Sequence, residues 1–185
     1  MLADLFSGND DRAQAALNSL SAADLPALKT ALARGDGDAR WWAVRALAAL
    51  ASAQPEALST LLTLTADPNA DVRAAVFHAL GESRAASAVI PLLFALNDSS
   101  PYLARLAADA LIRIGAPAVP GLLRALEQDV KANVRTHAAR ALAFIGDPAA
   151  IPALFCALDD ESALVQYWAD EGLERLGVGQ VYFMP

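Results

Sequence analysis

The sequence has a single cysteine, two histidines and no long apolar run. Cys156 is the single cysteine, and one thiol cannot form an internal disulfide. A structural zinc site built from several cysteines is excluded for the same reason. No apolar stretch approaches the roughly 20 residues that a helix needs to cross a bilayer. Residues 1–6 carry neither a basic segment nor a long apolar segment, so we expect no secretory signal. These absences favour a cytoplasmic protein.

Basic residues are also scarce. Only 14 Lys and Arg stand against 21 Asp and Glu, which gives a net charge of −7 at pH 7. Duplex DNA is bound through many Lys and Arg contacts that release counterions, so this balance disfavours a nucleic-acid-binding function. The two histidines, His78 and His137, lie far apart in the sequence and provide no metal site at typical ligand spacing. We therefore expect no metal and no cofactor.

A helical pattern that repeats fills most of the chain. In residues 134–146, four apolar side chains fall within about 80° of arc on a helix of roughly 3.6 residues per turn. They are Val134, Ala138, Leu142 and Ile145. The same set of positions recurs 31 residues earlier, from Leu103, and 31 residues later, from Val165. Such a period indicates stacked helical units that bury their apolar faces against one another.

Each unit is predicted to contain two helices joined by a short polar loop. The first helices carry proline near their start, where the missing N–H has no intrahelical partner in any case. The second helices follow residues that are preferred as N-caps, namely Asp36, Asn69, Ser100 and Ser162. In the fourth unit Lys131 takes this position, and the loop there is predicted to be one residue longer, with Asp129 as an alternative cap.

We predict one all-α domain, residues 1–185, built from about five two-helix repeats. The repeats are predicted at about 22–51, 55–84, 86–115, 117–146 and 148–177. Residues 1–21 are predicted to form an N-terminal cap with a helix from Asp10, and Ser21 and Asp24 then form a capping box. Residues 178–185 are predicted to fold back over the last unit as an aromatic C-terminal tail.

The pattern Val-Arg-x-x-Ala-Ala-x-Ala-Leu-x-x-Ile-Gly at 134–146, with Ile-Pro-x-Leu-x-x-Ala-Leu at 151–158, resembles the HEAT-like repeat of bilin (phycobiliprotein) lyases. The resemblance covers about residues 22–177. It implies a right-handed α-α superhelix, an armadillo-type α-solenoid whose second helices line the concave side. It also implies a ladder in which an Arg of each second helix pairs with an Asp of an inter-helix loop. The residues that match are Arg40, Arg73 and Arg135, with Asp67, Asp98, Asp129 and Asp160, whereas Ala104 and Gln166 interrupt the ladder.

The positions opposite the core arc of each second helix are predicted to face the concave surface. All three tryptophans fall there, and Trp, Tyr and Arg are the residue types enriched at binding hot spots. The candidate binding residues are Trp41, Trp42, Arg45, His78, Arg105, Asp109, Arg113, His137, Arg140, Tyr167 and Trp168. Two alternatives stay open. The N-terminal helix and the C-terminal tail can cover the aromatic residues, and the charges can form an ordinary solvated face whose ion pairs contribute little.

Two functions follow from these candidates. The first is a non-enzymatic scaffold or adaptor that binds a protein or peptide, including an acidic segment, on its concave face. The second, implied by the resemblance, is a bilin lyase-like or tetrapyrrole-binding chaperone. HEAT-like di-iron hydroxylases use His-Glu pairs, which this chain lacks. Trp41 and Asp109 resemble the aromatic and acidic residues of HEAT-like alkylpurine DNA glycosylases, but the negative net charge of the chain disfavours that function. We predict no catalytic residue and a monomeric protein.

Overall fold

The computed structural model describes residues 2–178, and all regular secondary structure in that range is helical. The predicted all-α fold class is therefore confirmed. The predicted C-terminal tail, residues 178–185, lies outside the described residues except for Val178. The chain divides into two compact units, residues 1–83 and 84–185, called unit 1 and unit 2 below. The repeat bounds given above stay a prediction.

Consecutive α-helices are separated by short loops and 3-10 turns in both units. Unit 1 contains α1 (Leu2–Leu5), α2 (Asp10–Leu17), α3 (Leu25–Arg34), α4 (Gly37–Leu50), α5 (Pro55–Thr63) and α6 (Ala70–Ser83). Unit 2 contains α7 (Val89–Ala95), α8 (Pro101–Ile114), α9 (Val119–Gln128), α10 (Ala132–Ile145), α11 (Ile151–Ala157) and α12 (Ala163–Arg175). No single helix within residues 2–178 has both the length and the apolar composition to cross a membrane, and α8 passes that test only jointly with residues 116–128, across a bend of 119°.

The N-terminal segment of unit 1 contains both predicted features. Helix α2 begins at Asp10, and the carboxamide Oδ1 of Asn9 accepts the N–H of Arg12 at 3.0 Å. The N–H of Ser21 donates to Oδ2 of Asp24 at 2.9 Å, which completes the capping box ahead of α3. Helix α2 packs against α4, and α1 packs against α2. The N-terminal segment is therefore helical and packs on α4, and its role as a cap stays a prediction.

The helices of unit 2 form two layers. The second helices α8, α10 and α12 pack side by side, and the first helices α7, α9 and α11 pack against one another as the other layer. The predicted core residues Val134, Ala138 and Leu142 of α10 are buried, whereas Ile145 is half-buried. A fully buried leucine contributes about 1.5–3 kcal/mol relative to an exposed one, so the repeated apolar positions supply most of the stacking energy.

The loops between paired helices of unit 2 share one turn geometry. Oδ1 of an aspartate accepts the backbone N–H two residues later, at 2.9 Å for Asp98 and at 2.8 Å for both Asp129 and Asp160. The loop before α10 comprises three residues, 129–131, against five before α8 (96–100) and five before α12 (158–162), so the prediction of a longer loop there was wrong. Lys131 occupies the N-cap position without a side-chain hydrogen bond, because Asp129 holds the turn and does not cap the helix.

Two rungs of the predicted arginine ladder connect neighbouring repeats. In unit 1, Nη2 of Arg40 donates to Oδ2 of Asp67. In unit 2, Arg135 binds Asp160 with two hydrogen bonds, Nε to Oδ2 at 2.7 Å and Nη2 to Oδ1 at 2.9 Å. Arg135 also donates to the backbone oxygen of Asp129 at 3.0 Å. One side chain thus joins the loop before its own helix to the loop of the next repeat.

Candidate functional site

Side chains of three second helices meet on one face of unit 2. We call them the aromatic–arginine cluster, and its members are Asp109 of α8, Arg140 and Phe144 of α10, and Tyr167, Trp168, Glu171 and Arg175 of α12. Consecutive repeats place equivalent positions next to one another, so the cluster arises from stacking. Gly172 of α12 lies against Ala143 of α10, and this close packing brings the side chains of α12 within reach of Phe144.

Arg140 lies at the centre of the cluster. Its Nη1 donates to Oδ1 of Asp109 at 2.8 Å, which ties α10 to α8. Its Cζ lies 5.0 Å from the centroid of the Phe144 ring and 5.7 Å from that of Trp168. Cations within about 6 Å of an aromatic face are attracted to it. Only 16% of the Arg140 side chain is exposed, so this guanidinium is held in place by one carboxylate and two rings.

The three aromatic side chains of the cluster are in contact. The ring centroids of Phe144 and Trp168 lie 5.8 Å apart with a 48° tilt, and those of Trp168 and Tyr167 lie 5.1 Å apart in an edge-to-face arrangement. Trp168 is half-buried, whereas Phe144 is 41% exposed and Tyr167 is 57% exposed. The cluster therefore presents two aromatic side chains to solvent above a partly buried indole.

Arg175 forms the outer side of the cluster. Its Cζ lies 4.3 Å from the centroid of Phe144, and its Nε donates to Oε1 of Glu171 at 2.7 Å. The side chain is 43% exposed, far more than that of Arg140. The same phenyl ring thus contacts two guanidinium groups, one largely enclosed and one open to solvent.

His137 lies beside the cluster on α10. Its Nδ1 is buried and has no hydrogen-bond partner within the described part of the chain. Burial lowers the pKa of this imidazole below its usual 6.5, and the positive charge of Arg140 lowers it further. His137 is therefore neutral at pH 7 and adds no positive charge to the face.

The candidates of unit 1 form a separate aromatic pair. The rings of Trp41 and Trp42 lie 4.9 Å apart, edge to face, and Cζ of Arg45 lies 5.0 Å and 5.5 Å from their centroids. Nη2 of Arg45 donates to Oε1 of Gln14 on α2 at 2.9 Å. Trp42 is buried and Trp41 is half-buried, so Trp42 belongs to the core of unit 1 and offers no open surface. His78 is exposed on α6 of the same unit.

The structure brings four of the sequence candidates together in the cluster. They are Asp109, Arg140, Tyr167 and Trp168, with Arg105 and Arg113 exposed on the adjoining helix α8. Phe144, Glu171 and Arg175 are also at predicted concave-facing positions, although they are not among the candidate binding residues named above. Their spacing was the available signal, because all three occupy positions of α10 and α12 that point away from the core arc. Their ring and ion-pair contacts, in contrast, depend on how the helices stack.

Cys156 lies on α11, in the other layer of unit 2. It is exposed and lines a groove of about 330 Å³ together with Arg135, Asp160 and neighbouring residues. The arginine of this groove is already paired with Asp160. Among residues 2–178, no group of three or more His, Cys, Asp or Glu side chains is placed to hold a metal ion.

Comparisons with known proteins place this architecture in a family. A phycobilisome maturation protein of Synechococcus elongatus is 39% identical over 99 residues, which are 53% of this chain and 47% of that protein. This chain therefore spans about half the length of that relative. The complex of CpcE and CpcF of phycocyanin lyase from Nostoc sp. PCC7120 is structurally similar, with a TM-score of 0.57 and 22% identity over 84% of this chain and 65% of the other.

A designed armadillo repeat protein in complex with the peptide (KR)4 also shares the fold. Its TM-score is 0.51 at 23% identity, and the match covers 94% of this chain and 96% of that chain. At these identities the two structural likenesses show the fold alone. The family model described as HEAT repeats matches residues 25–96 and 89–174. The chain therefore belongs to the HEAT-repeat family.

Proposed function

We propose that this chain is a non-enzymatic interaction scaffold that binds a protein partner on the face formed by α8, α10 and α12. The aromatic–arginine cluster is the observation that carries the proposal. Exposed Phe144 and Tyr167 surround a half-buried Trp168, and Arg140 and Arg175 lie over the same phenyl ring. Aromatic and arginine side chains of this kind dominate the energetics of protein interfaces.

The cluster is organised before a partner arrives. Arg140 is held by Asp109 and by two aromatic rings, and Trp168 is packed between Phe144 and Tyr167. Few side chains of the cluster therefore lose conformational freedom when a partner binds. Because ordering flexible side chains weakens association, a preformed cluster gains affinity from the same contacts.

The charge of this face differs from that of the whole chain. The predicted concave-facing positions of α8, α10 and α12 carry four arginines against two carboxylates, whereas Asp170 and Glu174 are exposed at other positions of α12. The concave-facing residues are Arg105, Arg113, Arg140 and Arg175, with Asp109 and Glu171. The full chain has a net charge of −7. Complementary charge steers association and selects partners, so the favoured partner presents an acidic segment.

Site-specific photocrosslinking tests this proposal with a matched control. A photoreactive phenylalanine analogue replaces Tyr167, which is 57% exposed in the cluster, or Phe94, which is 80% exposed on α7 in the other layer of helices. In a lysate of the organism that makes this protein, we expect a discrete protein adduct from position 167. The adduct is expected to disappear when Arg175→Gln is added. Equal adducts at both positions, or an adduct at 167 that Arg175→Gln leaves unchanged, would contradict the proposal.

A second candidate function is binding of a bilin or a related tetrapyrrole, with or without lyase-like activity. The likeness to a phycobilisome maturation protein favours it, although that match covers only 53% of this chain. In this alternative Arg140 and Arg175 bind the propionate groups, and Phe144 and Trp168 stack on the pyrrole rings. Titration with biliverdin or phycocyanobilin tests it. A red-shifted absorption band that Trp168→Leu removes supports this function, and an unchanged spectrum excludes it.

A further inference from the structure

We propose that Glu171 is an internal competitor: it occupies Arg175 in the unbound protein, and a carboxylate of the acidic partner segment displaces it. This inference rests on the proposed function and assigns separate roles to the two arginines of the cluster. Arg175 binds the partner directly. Arg140 is a positioning residue that holds Phe144 and Trp168 in place.

The two arginines are assigned different roles because their ion pairs differ in exposure and in the helices that they join. The pair of Arg140 and Asp109 joins two helices, and only 16% of the Arg140 side chain is exposed. Removing its carboxylate leaves a largely enclosed guanidinium without its counter-charge, which is costly. The pair of Arg175 and Glu171 lies within α12 at i,i+4 spacing, with side chains 43% and 29% exposed. Exposed pairs of this kind are weak, so an incoming carboxylate can replace Glu171 at little cost.

The hydrogen bonds of Arg175 leave donors available. Within residues 2–178, its only hydrogen-bond acceptor is Oε1 of Glu171, which binds Nε. The two terminal nitrogens thus have no acceptor in that part of the chain. Phe144, 4.3 Å from Cζ, fixes the position of the guanidinium from the side of its ring. A carboxylate that binds Nε together with the neighbouring terminal nitrogen makes two hydrogen bonds where Glu171 makes one, so it displaces Glu171 and gains the geometry that gives arginine–carboxylate pairs their strength.

The occupant that fits is an acidic segment of a protein partner that also carries an aromatic side chain. Its carboxylates meet the excess of arginine on this face, and its aromatic ring packs on exposed Phe144 and Tyr167. Glu171 raises the selectivity of such a site, because a segment without carboxylates leaves the internal pair in place and gains nothing from Arg175.

Fluorescence anisotropy with labelled peptides tests the inference. The probe alternates glutamate with phenylalanine, and the comparison peptides replace glutamate by lysine or by glutamine. We expect the full-length protein to bind the glutamate peptide in preference to the other two. Glu171→Gln is expected to raise its affinity for that peptide about twofold, since it removes a weak internal competitor. The matched control Glu174→Gln removes the same charge from the next turn of α12 and is expected to leave the affinity unchanged.

The double variant separates direct competition from general charge. In an Arg175→Gln background, Glu171→Gln is expected to give no gain, because the competed group is absent. A gain that persists in this background, or an equal gain from Glu174→Gln, overturns the competitor role while leaving the binding face intact. Absence of binding of the glutamate peptide, or preference for the lysine peptide, overturns the proposed acidic partner itself.

Discussion

A Cβ atom added to Gly172 of α12 would lie 3.2 Å from Cβ of Ala143 on α10. The same atom would lie 2.9 Å from Cδ1 of Leu154 on α11, a contact that real side chains do not tolerate without movement. The close approach at this point lets Trp168 and Arg175 contact Phe144. The aromatic–arginine cluster therefore depends on glycine at position 172, because a side chain there would hold α12 away from α10.

Gly172→Ala is expected to destabilise the protein by about 1–2 kcal/mol in a urea titration, although alanine is the better helix former by about 1 kcal/mol. The reason is that Leu154 and α10 must shift to admit the methyl group. Gly37→Ala is the control, since a Cβ there meets only Nδ2 of Asn69 at 3.7 Å. It is expected to change the free energy of unfolding by less than about 0.5 kcal/mol. Equal stability of the Gly172→Ala and wild-type proteins would show that the helices do not pack this closely.

The ladder predicts a second difference in stability. Asp160→Asn keeps an oxygen for the N–H of Ser162 but removes the charge that pairs with Arg135, so we expect a loss of about 1–3 kcal/mol. Asp129→Asn likewise keeps the hydrogen bond to the N–H of Lys131. Within residues 2–178 the Asp129 carboxylate forms no ion pair and acts on Arg135 only through a weaker charge interaction, so the loss is expected to be small. Similar losses in the two variants would mean that the ion pair adds nothing beyond the turn.

The pH dependence of that pair has a definite sign. The hydrogen bonds from Arg135 hold the pKa of Asp160 below its usual 3.8 in the folded protein. The unfolded chain therefore takes up the proton first as the pH falls, and the stabilisation, complete above pH 3.8, is lost through the window below it. Urea titrations at several acidic pH values should show this slope for the wild-type protein and a shallower slope for Asp160→Asn.

His137 predicts a pH effect in a different window. Because burial lowers its pKa below 6.5, the unfolded chain binds a proton at a pH where the folded protein does not. Stability is expected to fall as the pH drops below 6.5, and His137→Leu is expected to remove this part of the slope. The groups that act on His137 are Arg140, Asp109 and Arg105. Urea titrations of the wild-type and His137→Leu proteins across this pH range measure the difference.

Part of this architecture could be predicted from the sequence because the repeat encodes it locally. The apolar positions of α10 and the capping box of Ser21 and Asp24 depend on spacing within one or two turns. The loop before α10 was mispredicted because Lys131 is a poor N-cap by type, whereas the turn is held by Asp129 from outside the helix. The hydrogen bond from Asp129 to the N–H of Lys131 thus mattered more than the poor N-cap preference of lysine.

The site could be predicted only in part for a different reason. Trp42 and Trp168 occupy similar outward positions of their helices, yet Trp42 is buried in unit 1, where α2 packs against α4. No repeat pattern encodes that packing, because α2 lies outside the repeat. The sequence places Phe144 on the concave-facing side of α10, but its contacts with Trp168 and Arg175 depend on how α12 stacks against α10.

Replacing Phe144 tests whether exposed apolar area alone accounts for binding. Phe144→Ala is expected to weaken binding of the partner captured at Tyr167 by about tenfold, since it removes the ring that both arginines contact. Phe94→Ala is the control on α7, where the ring is 80% exposed and lies outside the cluster. Binding measured by biolayer interferometry should be unaffected by Phe94→Ala. A larger loss from the control would assign binding to the other layer of helices.

The most direct test of the central claim, that α8, α10 and α12 form the binding face, is a pair of charge reversals. The affinity for the captured partner is measured for Arg175→Glu, in the cluster, and for Arg124→Glu, at an exposed position of α9 in the other layer. We expect the first to weaken binding by about tenfold or more and the second to leave it unchanged. Equal losses, or an unchanged affinity in Arg175→Glu, would contradict the assignment of this face.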